Sequence, residues 1–75
     1  MPGSLGTPRY EELINRLIDA RNSAKLTQDQ VARKLRKPQS FVAKYEGGER
    51  RLDVIEFMDV CQALGVRYDQ ILDGL

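Results

Sequence analysis

Apolar side chains recur along this chain at three- and four-residue intervals, and no stretch alternates as a strand would. Tyr10, Leu13, Ile14, Leu17 and Ile18 fall on one stripe of a first helix. Thr7 is placed to cap it, with Pro8 in its first turn. A second start follows at "LTQDQV". Thr27 and Gln30 have capping-box spacing, and Leu26 and Val31 can form the flanking hydrophobic staple. This second helix is about two turns long and turns Val31, Ala32 and Leu35 inward.

Pro38 interrupts the pattern. A proline inside a helix loses a hydrogen bond, clashes with the preceding turn, and pushes its predecessor, Lys37, out of helical geometry. The spacing therefore predicts that helix two ends near Leu35 and that a third helix begins at Pro38 or Gln39, with Val42 and Tyr45 inward. Gly47 and Gly48 break the chain again. Asp53 and Glu56 repeat the capping box in acidic form before a fourth helix, whose stripe is read as Val54, Phe57, Met58, Cys61 and Leu64. Gly65 stops it, and a short last helix over about 68–72 adds Ile71 and Leu72. The fold class is all-α: a compact domain of five helices over residues 8–75, preceded by a flexible arm at 1–7 rich in Pro, Gly and Ser.

Two short helices joined by a tight turn, between a longer helix and a closing pair, have the layout of a helix-turn-helix DNA reader. Ala32 lies where the two helices cross closely, and Leu35, Val42 and Tyr45 would fix the crossing angle.

Composition narrows the chemistry. There are 75 residues, one cysteine and no histidine. The usual general base and commonest metal ligand are thus missing, and a lone thiol forms no internal bridge. Neither an enzyme nor a metal or other cofactor is indicated. Cys61 reads as an inert core thiol, and a reducing, cytoplasmic setting is expected. Apolar runs are too short to span a membrane.

The formal net charge of +1 conceals an uneven distribution. Residues 25–51 carry eight basic side chains against Asp29, Glu46 and Glu49, whereas residues 52–75 carry Arg67 against five carboxylates. A basic middle and an acidic end are compatible with a polyanion on one face.

From about Tyr10 to Leu72 the chain resembles the phage repressor and Cro family of helix-turn-helix regulators, the XRE type. The resemblance rests on "LTQDQVARKL", "KPQSFVAKYEGGER" and "LDVIEFMDVCQALGV". It implies a lambda-repressor-like domain that binds double-stranded DNA. By the same resemblance Gln39, Ser40 and Lys44 would reach base edges from helix three, with Ala43 close to them, and Gln28 would touch a phosphate and brace Gln39. Lys37, Arg50 and Arg51 would grip phosphates; Lys34 and Arg36 would either join them or serve as solubilising charge. Arg21 and Glu46 match a structural ion pair of the family. Phe41 either packs beneath the turn or lies against the sugar-phosphate backbone.

Arg36 departs from the family, which often has glycine there because the residue takes positive φ; a left-handed Arg36 is expected. The implied function is a transcriptional regulator, in the first instance a repressor, acting as a homodimer on a palindromic operator and pairing through helices four and five. The rival is an antitoxin or restriction–modification controller that also holds a protein partner such as a toxin.

Overall fold

The computed structural model describes residues 7–75. Residues 1–6 of the expected arm lie outside the described residues. Thr7 accepts a hydrogen bond from the Tyr10 N–H at 3.3 Å and caps α1, Pro8–Ser23, with Pro8 opening the helix. Then follow α2 (Gln28–Leu35), α3 (Gln39–Glu46), α4 (Val54–Leu64) and α5 (Tyr68–Leu72). Both expected capping boxes form. Thr27 accepts from Gln30 N–H at 3.0 Å while the Gln30 side chain accepts from Thr27 N–H at 2.8 Å. Asp53 and Glu56 reciprocate in the same way at the start of α4.

The core draws on every helix. Tyr10, Ile14 and Leu17 come from α1, Val31 and Ala32 from α2, and Phe41, Val42 and Tyr45 from α3. They meet Phe57, Val60, Cys61 and Leu64 of α4 and Ile71 of α5. Leu35 is partly buried against them. The stripe expected on α4 is corrected here. Val54 is 68% exposed and Met58 also faces out, while Val60 is fully buried in their stead. Leu72 likewise stays exposed, beside buried Ile71.

The first four helices end in one motif. After α1, Leu26 N–H donates to the Arg21 carbonyl and Lys25 N–H to that of Asn22; after α2, Lys37 N–H donates to Ala32 and Arg36 N–H to Arg33. The same crossed pair closes α3 at Gly48 and α4 at Gly65. These are Schellman ends, which place one residue in the left-handed region. Glycine fills that place at 48 and 65, but Lys25 (φ 59°) and Arg36 (φ 58°) fill it in the other two. Arg36 thus has the conformation expected of it, and Lys25 is a second case that the sequence did not reveal. A side chain in this region costs on the order of 1 kcal/mol. Arg36→Gly should therefore raise the unfolding free energy by up to about 1 kcal/mol, read from a urea melt. A clear fall in midpoint would contradict this account of the turn.

Arginines on α1 secure the C-terminus. The Arg16 guanidinium donates to the Ile71 carbonyl at 2.8 Å and to that of Asp73, and Arg9 donates to the Leu75 carbonyl at 3.1 Å. A five-residue helix has little stability of its own; here it is held by these bonds and by buried Ile71.

Candidate nucleic-acid interface

The turn between α2 and α3 fits the local chemistry residue by residue. Left-handed Arg36 reverses the chain, Lys37 N–H returns to the Ala32 carbonyl at 3.0 Å, and Pro38 (φ −66°, ψ 154°) stands as the extended residue before α3. Proline has no N–H to leave unsatisfied there. The turn sets α3 across α2 with Val42 and Tyr45 sealed in the core. Gln39, Ser40 and Lys44 then face solvent and Ala43 is half-buried, so the four residues expected at base edges share one accessible side of α3.

Phe41 packs rather than projects. It is buried, its ring meeting that of Tyr45 edge to face with centroids 5.6 Å apart. The Lys37 ammonium lies 5.4 Å and the Arg50 guanidinium 4.8 Å from its centroid, both within cation–π range.

A chain of hydrogen bonds ties α3 to α1 and α2. Arg21 of α1 grips Glu46, the last residue of α3, through Nε to Oε2 at 2.7 Å and Nη2 to Oε1 at 3.0 Å. Its Nη1 donates to the Leu26 carbonyl at 3.0 Å. Glu46 Oε1 also accepts from Gln28 Nε2 at 2.9 Å, and Gln28 Oε1 accepts from Gln39 Nε2 at 2.8 Å. The ion pair is well shielded, with side-chain exposures of 15% for Arg21 and 7% for Glu46. Hydrogen bonding to Glu46 raises the Arg21 guanidinium above its ordinary pKa. The brace between Gln28 and Gln39 is present, and both amide heavy atoms of Gln28 are engaged, Oε1 with Gln39 and Nε2 with Glu46. A phosphate placed at Gln28 would meet its second Nε2 hydrogen.

The flanking cations divide into two sets. Arg50 is joined to Glu56 by two parallel bonds of 2.9 and 2.7 Å, and Arg51 lies over the Tyr10 ring at 4.2 Å. Arg33 pairs with Asp29. Lys34 lines a groove with Leu35, Asp59 and Gln62, on the side of α2 that meets α4. Arg36, Lys37 and Lys44 are exposed and, among the described residues, have no carboxylate partner. Sequence spacing did not reveal the Arg50–Glu56 pair, because it spans six residues around a turn and follows no helical period.

Glu56 is held well below the carboxylate range, at about 2, first by the Arg50 hydrogen bonds and then by the Asp53 N–H. A depressed folded-state pKa adds stability above the unfolded value, near 4.5, and that stability is lost as pH falls through about 2. The melting temperature should therefore drop between pH 4.5 and 2 with a smaller slope in Glu56→Gln than in the parent. Equal slopes would show that the pair does not contribute.

Among the described residues no cluster of three His, Cys, Asp or Glu side chains could hold a metal ion, and no helix is long and apolar enough to cross a membrane.

A family model described as helix-turn-helix matches residues 17–71. No curated protein matches the chain. Among solved structures, an XRE-family like protein from Pseudomonas syringae pv. tomato is 50% identical, with a TM-score of 0.83 over 85% of this chain and 78% of that one. Two others, each 22% identical, share the fold. The clp gene regulator ClgR from C. glutamicum superposes with a TM-score of 0.80 over 92% of this chain and 88% of its own. The restriction-modification controller protein C.AhdI from Aeromonas hydrophila does so at 0.73 over 80% and 91%.

Proposed function

The chain belongs to the XRE family of helix-turn-helix DNA-binding regulators, and on that premise we propose that it is a transcriptional repressor reading a palindromic operator as a homodimer. The observation that carries this is the exposed Gln39–Ser40–Lys44 face of α3, braced through Gln28 and flanked by exposed Arg36 and Lys37. Set in the major groove, Gln39 can pair with adenine and Lys44 with guanine O6 and N7. Arg36 and Lys37 meet phosphates, which set the register of the helix on DNA. Arg50 and Arg51 approach the same backbone from positions fixed by Glu56 and Tyr10. Arg50, already paired with Glu56, neutralises less phosphate charge, and Arg51 is held over the Tyr10 ring, so Arg36, Lys37 and Lys44 supply the larger share of the salt dependence.

A single module offers few base contacts. A two-fold pair would read half-sites about 34 Å apart. The support for pairing is on α4 and α5. Val54, Ile55 and Met58 leave apolar side chains in solvent, and Met58 opens onto a groove shared with exposed Tyr68. A second copy would cover them.

Site selection from random duplexes, followed by titration against salt, tests the operator-binding dimer on which repression would rest. Three contributing cations predict a slope of log affinity on log salt of about −2.7 per protomer, or about −5.4 for the dimer. Gln39→Ala and Lys44→Ala should each remove about 1–3 kcal/mol of discrimination at one base pair. A flat salt response, or a selected site without two-fold symmetry, would overturn the operator-binding dimer.

A further inference from the structure

We propose that Glu46 determines which way the Gln39 amide faces DNA, acting through Gln28, and so makes the chain select adenine over guanine at the base Gln39 meets. This rests on the DNA-reading role assigned to α3 above.

An amide side chain is ambiguous by itself, because a half-turn about its last bond exchanges a donor for an acceptor. A carboxylate is not ambiguous: ionised, it only accepts. Glu46 is shielded and holds two donors of Arg21, which is itself anchored by the Leu26 carbonyl. Gln28 reaches Glu46 Oε1 at 2.9 Å and must present its nitrogen there, since its oxygen would face a carboxylate oxygen. That leaves Gln28 Oε1 on the outer side. Gln39, 2.8 Å away, must in turn present its own nitrogen to that oxygen. Direction is thus passed from the end of α3, through the start of α2, to the start of α3.

The consequence lies in what Gln39 has left. One Nε2 hydrogen is engaged with Gln28, so the exposed edge offers one N–H donor and the Oε1 acceptor. Adenine presents the complement in the major groove, an N7 acceptor beside an N6 donor. Guanine presents two acceptors, N7 and O6, and would set O6 against Oε1. A Gln39 free to turn over could offer guanine both hydrogens of its nitrogen. The relay removes that option, which makes Glu46 a positioning residue for specificity although it touches no base itself.

The test begins with sites selected by the parent protein. The base met by Gln39 is the position whose preference disappears in Gln39→Ala. Adenine is expected there, favoured over guanine by about 5- to 150-fold. Two variants then cut the relay at different links. Gln28→Ala removes the middle amide and leaves the Arg21–Glu46 pair intact. Arg21→Met with Glu46→Met keeps Gln28 but removes what orients it, and exchanging a whole ion pair for apolar residues is often neutral for folding. Both should reduce the adenine-to-guanine ratio to under about 3-fold while preferences at other positions hold. Guanine at the Gln39 position, a Gln39→Ala variant that loses no preference, or a parental ratio in either folded variant overturns the proposal. If the double variant does not fold, Glu46→Gln decides: its amide keeps a bond to Arg21 but can offer Gln28 either a donor or an acceptor, so the adenine-to-guanine ratio should fall there too, and a parental ratio overturns the proposal. Failure of the parent to select any sequence would instead overturn the DNA-reading role, and it would appear before any variant is compared.

Discussion

Replacing Glu46 alone with alanine is expected to lower the unfolding free energy by about 3 kcal/mol, a large part of the total for a domain of this size. Arg21 would lose both carboxylate bonds while remaining shielded, and Gln28 would lose its acceptor. An unpaired charge in such a place is costly because the protein no longer supplies what water did. The figure sits at the low end for buried pairs because Arg21 keeps 15% of its side chain in solvent. The double replacement with methionine should cost much less than Glu46→Ala, although it removes more polar contacts. Urea melts of the two variants side by side check this. A double variant as unstable as the single one would show that the pair itself, and not the stranded charge, carries the stability.

Tyr45→Ala should be at least as damaging, at about 3–5 kcal/mol. Tyr45 is among the largest fully buried side chains, and its ring supports that of Phe41 edge to face. Burial pushes its phenol well above the ordinary value, so it stays neutral at any working pH. Its removal would open a cavity directly behind the exposed face of α3. Affinity for DNA should then fall more than the loss of stability alone explains, because α3 loses its inner support. Calorimetric melts give the first quantity, and titration at a temperature where the variant remains folded gives the second. A loss under 1 kcal/mol would mean that the core closes around the gap.

Much of this fold was legible because its helices announce their ends chemically. Thr27 with Gln30, Asp53 with Glu56, and Pro38 each act within one turn of chain, and all three set boundaries where local chemistry places them. The inward face of α4 was harder to read. Val54, Ile55, Phe57, Met58, Val60, Cys61 and Leu64 put apolar side chains on more than one side of an 11-residue helix. Periodicity then cannot choose among phases, and packing against α1 and α2 selects Val60 over Val54 and Met58. Lys25 escaped because its left-handed turn lacks the glycine that would have marked it. At the site, the accessible face of α3 follows from which residues are core. The Arg21–Glu46 pair came from family resemblance. The Gln28–Glu46 bond depends on the end of α3 folding back beside the start of α2, and no local pattern encodes that.

The buried cysteine carries a practical consequence. Cys61 is the sole thiol in 75 residues, it lies in the core, and burial raises its pKa to about 11. In the folded protein it is both sealed and protonated, whereas in the open chain it ionises near 8.5 and becomes reactive. At mildly alkaline pH the rate of its modification by a disulfide reagent thus counts openings of the core, with no label or substitution introduced. Any partner that binds only the closed form must slow that rate in proportion to its own occupancy. The chain carries its own chemical clock for engagement.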